Sequence, residues 1–257
     1  MNTIRIEHEE RWAWIYLNRP ARRNALNTEL LNELRQALAE LEANSEIRVV
    51  ILTGEGKAFC SGLDLEELQQ MHLKSFEESL ADSRRYAEVL KQVYRYSKPV
   101  IAALNGPAIA GGCGLASVCD LVVAARSARL GYTEAKIGFV GAIVSYFLAR
   151  SVGERTARDL LLTARHIEAE EACRLGLVNE VVEDTELRPR VRELTRQLCA
   201  NSAQSIRASK ALLARIVSPD LDEALDYACE LNARSRSSAD CIEGIAAFLE
   251  KRPPKWA

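Results

Sequence analysis

Three short segments of the chain hold residue types that could do chemistry together. The first, residues 56–64 (GKAFCSGLD), is a glycine-bearing loop after an apolar run. The second, residues 98–116 (KPVIAALNGPAIAGGCGLA), passes from an apolar run through a glycine-rich turn into a helical pattern. The third, residues 130–138 (LGYTEAKIG), sets one carboxylate, Glu134, among small and apolar neighbours. Glycines at a strand-to-helix turn let backbone N–H groups approach a ligand with no Cβ in the way. The N–H groups of a first helical turn have no internal partner and carry partial positive charge. Two such loops side by side would cradle one developing oxyanion, each donor being typically worth ~2.7–4 kcal/mol in the transition state. A carboxylate in a partly apolar site has a raised pKa, which suits proton transfer near neutral pH. The same residues also have plain structural uses. Gly111 and Gly112 permit close helix–strand packing, and Glu134 suits an exposed helix face.

The elements that must position these segments follow from periodicity. Residues 4–8 alternate apolar and polar, and residues 12–17 form a second strand ending at the turn Asn18-Arg19-Pro20. Asn27-Thr28 offers an N-cap for a helix with Leu30, Leu31, Leu34, Leu38 and Leu41 at helical spacing. Residues 49–53 and 100–104 are continuously apolar, as strands buried on both faces are. Residues 76–96 read as a long amphipathic helix stopped by Pro99, residues 111–119 as a short helix, and 121–125 as a strand. From residue 142 onward the pattern is helical apart from a short strand at 178–182, with breaks near Asn201-Ser202 and Pro219. Strands alternating with helices predict an α/β core over 1–190, followed by a helical region over 191–257.

The totals are those of a globular protein: 257 residues, 48% hydrophobic and 27% charged. A net charge of -2 gives no electrostatic case for a nucleic-acid partner. The seven cysteines form no C-x-x-C pair, and the spacing fits neither a zinc site nor a disulfide framework. Reduced, small core residues in a cytoplasmic protein are expected. His8, His72 and His166 fall in different elements without metal-ligand spacing, so no metal is expected. No apolar run approaches the ~20 residues of a membrane span, so no membrane partner is expected. Ser61 and Ser145 invite a hydrolase reading, but no histidine lies in the three segments to pair with them. Asp64 suits a helix cap, Tyr132 either a pocket wall or packing, and the tryptophans, Trp256 included, core or interface positions. Glu66 and Glu67 could face the site or only solvent.

In order and spacing, the three segments together resemble the crotonase (enoyl-CoA hydratase/isomerase) superfamily. The resemblance extends over nearly the whole chain, through residues 17–20 (LNRP), 24–27 (NALN), 160–164 (LLLTA), 172–178 (ACRLGLV) and 248–253 (FLEKRP). It implies a spiral of ββα units with a C-terminal helical trimerisation region. It also implies an acyl-CoA thioester as substrate, no separate cofactor, and a homotrimer or dimer of trimers. The backbone N–H groups at Leu63 and Gly111 are the implied oxyanion donors, and Glu134 the implied acid/base. Ser61, Gly62, Asp64, Ala110, Gly114 and Tyr132 fall in or beside the implied substrate site, with Ile109 and Ala110 as pocket wall. Arg22, Arg23 and Lys57, with Lys251 or Lys255 of a neighbouring subunit, are the implied coenzyme A contacts.

One departure from the family pattern stands out. Hydratases of the best-known type use two glutamates, and the first falls here on Gly114, twenty residues before Glu134. Some hydratases of branched, methylglutaconyl-type acyl-CoAs resemble the chain at that point and in residues 136–145 (KIGFVGAIVS). The resemblance favours a hydratase over an enoyl-CoA isomerase that uses Glu134 alone. Space left at Gly114 is expected to admit a β-branch or a bulkier acyl group. A non-catalytic or RNA-binding scaffold is the reading from another class.

Overall fold

In the computed structural model, which describes residues 1–217 and 221–255, the apolar runs pair into one large sheet. Its strands are β1 (Ile4–Glu9), β2 (Trp12–Leu17), β3 (Val49–Gly54), β4 (Val100–Leu104), β6 (Leu121–Ala125) and β9 (Glu180–Val182), in the order β1-β2-β3-β4-β6-β9. The pair β1/β2 is antiparallel and the remaining pairs are parallel. A smaller sheet joins β5 (Ala108–Ile109), β7 (Arg129–Gly131) and β8 (His166–Glu168) in the order β5-β7-β8. Among the described residues no helix is long and apolar enough to cross a membrane.

Period-two alternation explains the unbroken apolar strands. Ala13, Ile15, Leu17, Val50, Leu52, Val100, Ala102 and Leu104 face the main core. Their neighbours Trp12, Trp14, Tyr16, Val49, Ile51, Ile101 and Ala103 face a second core on the opposite side. A sheet covered on both faces has no polar row to show. The main core is closed by helices α1 (Thr28–Ala43), α3 (Phe76–Tyr94), α4 (Gly111–Ser117) and α5 (Ala142–Thr163). Asn27 caps α1 by accepting from Leu30 N at 2.9 Å, and Ser75 and Glu78 form a capping box at the start of α3. The remaining helices are α2 (Leu65–Gln70), α6 (Ala169–Leu175), α7 (Leu187–Ala200), α8 (Ala203–Val217), α9 (Leu221–Arg236) and α10 (Ala239–Leu249).

The boundary read at residue 190 falls inside α7, whose Leu187 and Val191 cover the second core. The helices after α7 begin at Ala203, and Lys210 of α8 ties that helix back to Lys98 O at 2.9 Å. Of these, α9 packs on α3, while α10 lies over α2 and the 3-10 turn Glu134–Ile137. The seven cysteines are free thiols, four of them buried. Pro219 and Trp256 lie outside the described residues.

Candidate active site

Two backbone loops meet beneath α10. The first is pinned from below by Asn24, a fully buried side chain. Its Nδ2 donates to Glu55 O (3.0 Å) and Ala58 O (2.8 Å), while its Oδ1 accepts from Arg19 N (2.9 Å). Further along, Leu26 N donates to Gly62 O (2.8 Å) and Asp64 N to Leu26 O (3.0 Å). Asp64 also caps α2 through Glu66 N (3.0 Å) and holds Arg19 Nη1 at 2.8 Å. The peptides on both sides of Leu63 are thereby fixed. Gly62 sits at φ +90°, a region closed to most L residues, and a Cβ there would come within 3.0 Å of Ala110 Cβ.

The second loop lies against the first. Ile109 N donates to Cys60 O (2.9 Å) and Ala110 N to Gly131 O (2.7 Å). Ala110 takes φ 49°, ψ −119°. For a residue with a Cβ this costs on the order of 1–3 kcal/mol, a strain the surrounding contacts must hold. It turns the chain so that Gly111 begins α4. Tyr86, on α3, donates its phenolic proton to Gly111 O at 2.6 Å. Along these loops the N–H groups of Ser61, Asp64, Ile109, Ala110 and Gly114 all have backbone acceptors. Those of Leu63 and Gly111 have none among the described residues. The gap they face is a cavity of about 360 Å³, within the usual range for small-molecule sites.

Among the described residues, Glu134 supplies the one carboxylate on the wall of that cavity. It opens the 3-10 turn after β7, is 7% exposed, and its Oε2 has no hydrogen-bond partner among the described residues. Burial pushes its pKa up to about 7, against a smaller lowering by its own backbone N–H. The carboxyl carbon would lie 3.1 Å from a Cβ at Gly141, so the carboxylate is packed against the start of α5. Its titratable neighbours stay protonated: burial pushes the Tyr86 and Tyr132 phenols well above 10 and raises the Cys113 thiol. Two fixed N–H donors and one unpaired carboxylate near neutrality can stabilise an enolate oxygen while moving a proton at the adjacent carbon.

Of the residues singled out in the sequence, Arg23, Ser61, Leu63, Ala110, Gly111 and Glu134 line this cavity. Gly62 is the turn residue of the first loop, with no side chain to line the cavity, and Asp64 organises that loop as a cap. Four others lie elsewhere. Tyr132 is buried in the main core, away from the cavity wall, and Arg22 is exposed and paired with Glu66 at 2.6 Å. Lys57 is exposed and does not line the cavity, and Lys251, expected to act from a neighbouring subunit, is exposed on this one. Glu67 receives the Thr28 N–H at 3.1 Å, so neither Glu66 nor Glu67 reaches the site.

The space expected at Gly114 is not open. A Cβ there would stand 2.4 Å from both Tyr86 Oη and Val144 Cγ1. Those two side chains occupy the volume, so Gly114 admits Tyr86 rather than a bulkier acyl group. Sequence reasoning also missed Tyr86, Lys136, His166 and Arg236, which line the cavity from helices and loops far apart in the chain.

The enoyl-CoA hydratase/isomerase family model matches residues 7–257. A Thermus thermophilus relative is 46% identical over 244 residues, covering 95% of this chain and 96% of its own. The short-chain-enoyl-CoA hydratase of Clostridium acetobutylicum is 36% identical over 258 residues, covering 98% of this chain and 96% of its own. Among solved structures, an enoyl-CoA hydratase/isomerase from Xanthobacter autotrophicus Py2 superposes with a TM-score of 0.90 at 30% identity, covering 96% of this chain and 93% of that one.

Proposed function

The chain belongs to the enoyl-CoA hydratase/isomerase family, within the crotonase superfamily, and from that premise we propose that it adds water across the double bond of a 2-enoyl-CoA thioester. The observation that carries the reading is Glu134, unpaired and buried in the same cavity as the free N–H groups of Leu63 and Gly111. The thioester oxygen accepts from those two N–H groups. Glu134, as carboxylate, takes a proton from water while the water oxygen bonds to C3 and the π electrons move onto the thioester oxygen. The protonated Glu134 then delivers its proton to C2, and the enolate returns to a thioester. Atoms balance with one carboxylate, so Gly114 need not supply a second. Coenzyme A enters as part of the substrate, and Arg23, exposed at the cavity wall without an ion-pair partner among the described residues, suits its phosphates.

A single wall carboxylate also suits an isomerase, in which Glu134 carries one proton between C4 and C2. Incubation with crotonyl-CoA and with a 3-enoyl-CoA separates the two. A product heavier by one water from crotonyl-CoA supports hydration. A shifted double bond at constant mass, with crotonyl-CoA untouched, rejects it. Assembly as a homotrimer or dimer of trimers in the cytoplasm completes the proposal. Leu212 and Leu213, each 57% exposed on α8, support association, and light scattering giving a monomer would reject it.

A further inference from the structure

Arg236 closes α9 with 3% of its surface exposed, yet it is one of the side chains that line the cavity. The other cations on that wall, Arg23 and Lys136, are exposed, so Arg236 is its buried cation. Its Nε donates to Asn232 Oδ1 (3.0 Å) and its Nη1 to Ser79 O (3.2 Å). The nearest carboxylate, Asp82 Oδ2, is 3.7 Å away, beyond a good hydrogen bond. Asp82 is already held by Lys74 Nζ and Arg85 Nη1, each at 2.7 Å. Three cations therefore share one carboxylate, and Nη2 of Arg236 has no acceptor among the described residues. Burial pushes the guanidinium pKa down to about 10, the sign of a charge short of compensation. The guanidinium lies over the Phe139 ring at 5.9 Å, a face that offers attraction but no hydrogen-bond acceptor for Nη2, and Leu68 and Ile137 elsewhere on the wall carry no counter-charge. A buried guanidinium with a free donor edge matches a planar anion.

We propose that the acyl chain this cavity takes ends in a carboxylate, and that Arg236 reads it. The inference rests on the cavity being the 2-enoyl-CoA site. With the thioester oxygen on Leu63 and Gly111 and the double bond beside Glu134, the coenzyme leaves toward the exposed Arg23 and Lys136. The distal end of the acyl chain then runs inward, to the wall where α9 presents Arg236. A hydrocarbon end would leave the guanidinium unmatched; a terminal carboxylate supplies both the charge and the acceptors.

The test compares kcat/KM for trans-2-enoyl-CoA thioesters of equal length ending in methyl or in carboxylate. The wild type is expected to favour the carboxylate by roughly 10- to 100-fold, the value of one hydrogen-bonded charge contact. In Arg236→Met that ratio falls to about one or inverts, and in Arg236→Lys part of it is kept. A purely structural arginine would depress both substrates alike and leave the ratio unmoved, which overturns the proposal. So does a wild type that prefers the methyl-ended substrate, a result that needs no folded variant and leaves the hydratase reading standing. Failure of the wild type to hydrate either thioester would reject that reading and the inference with it.

Discussion

Replacing Glu134 by glutamine should make the protein more stable at alkaline pH, although it removes the proposed acid/base. The carboxyl is buried and unpaired at Oε2, and burial raises its pKa from 4.5 to about 7. A raised acid pKa means that the folded state binds more protons than the unfolded state between those values. Stability attributable to this group is therefore complete below 4.5, falls as pH rises through the window, and is lost above about 7. At ~1.4 kcal/mol per unit the loss is roughly 3 kcal/mol. Glutamine keeps the shape and never ionises. Chemical denaturation of both proteins at one protomer concentration, from pH 5 to 9, should show the variant gaining on the wild type by roughly that amount as pH rises. A difference that stays constant over the window would refute the claim that Glu134 is buried as an uncompensated carboxyl.

The same ionisation should govern catalysis: kcat/KM for hydration should fall about tenfold per unit below pH 7, because water addition needs the carboxylate. A pH-rate profile for crotonyl-CoA checks it. Gly114→Ala should cost about 1–3 kcal/mol by overpacking, read from denaturant midpoints, with part of the loss recovered in a Tyr86→Phe background. Asp64→Ala removes the α2 cap and leaves Arg19 half-buried without its carboxylate, an expected loss of roughly 2 kcal/mol measured the same way.

Much of this site is legible along the chain because its parts are local. The turn around Ser61 and Gly62, the glycines at 111 and 112, and Glu134 are conspicuous by residue type within a few positions, although those types alone suit packing and a solvated face equally and took their candidate roles from the family resemblance. The strands at 49–54 and 100–104 are equally plain, since burial on both faces leaves an unbroken apolar run. Tyr86 and Arg236 are different. Each sits in an amphipathic helix whose sequence says only that one face is buried, not which cavity that face meets. Gly114 invited an inference of empty space, but Tyr86, from another helix, fills it. Charges are hard to place along the chain for a related reason. Arg22 and Lys57 lie in the loops the resemblance points to, yet Arg22 is tied to Glu66 and Lys57 is not among the residues that line the cavity. Contacts between distant segments decide these cases, and periodicity carries no information about them.

The central claim is that Glu134 alone moves the protons of hydration. The most direct measurement follows crotonyl-CoA in deuterium oxide by mass spectrometry, with the wild type beside Glu134→Gln. The account predicts a hydrated product with one carbon-bound deuterium at C2 from the wild type, and a rate lower by roughly 100- to 10,000-fold in the variant. Hydration by the variant within tenfold of the wild-type rate would contradict it, because the proton would then have to travel through another group.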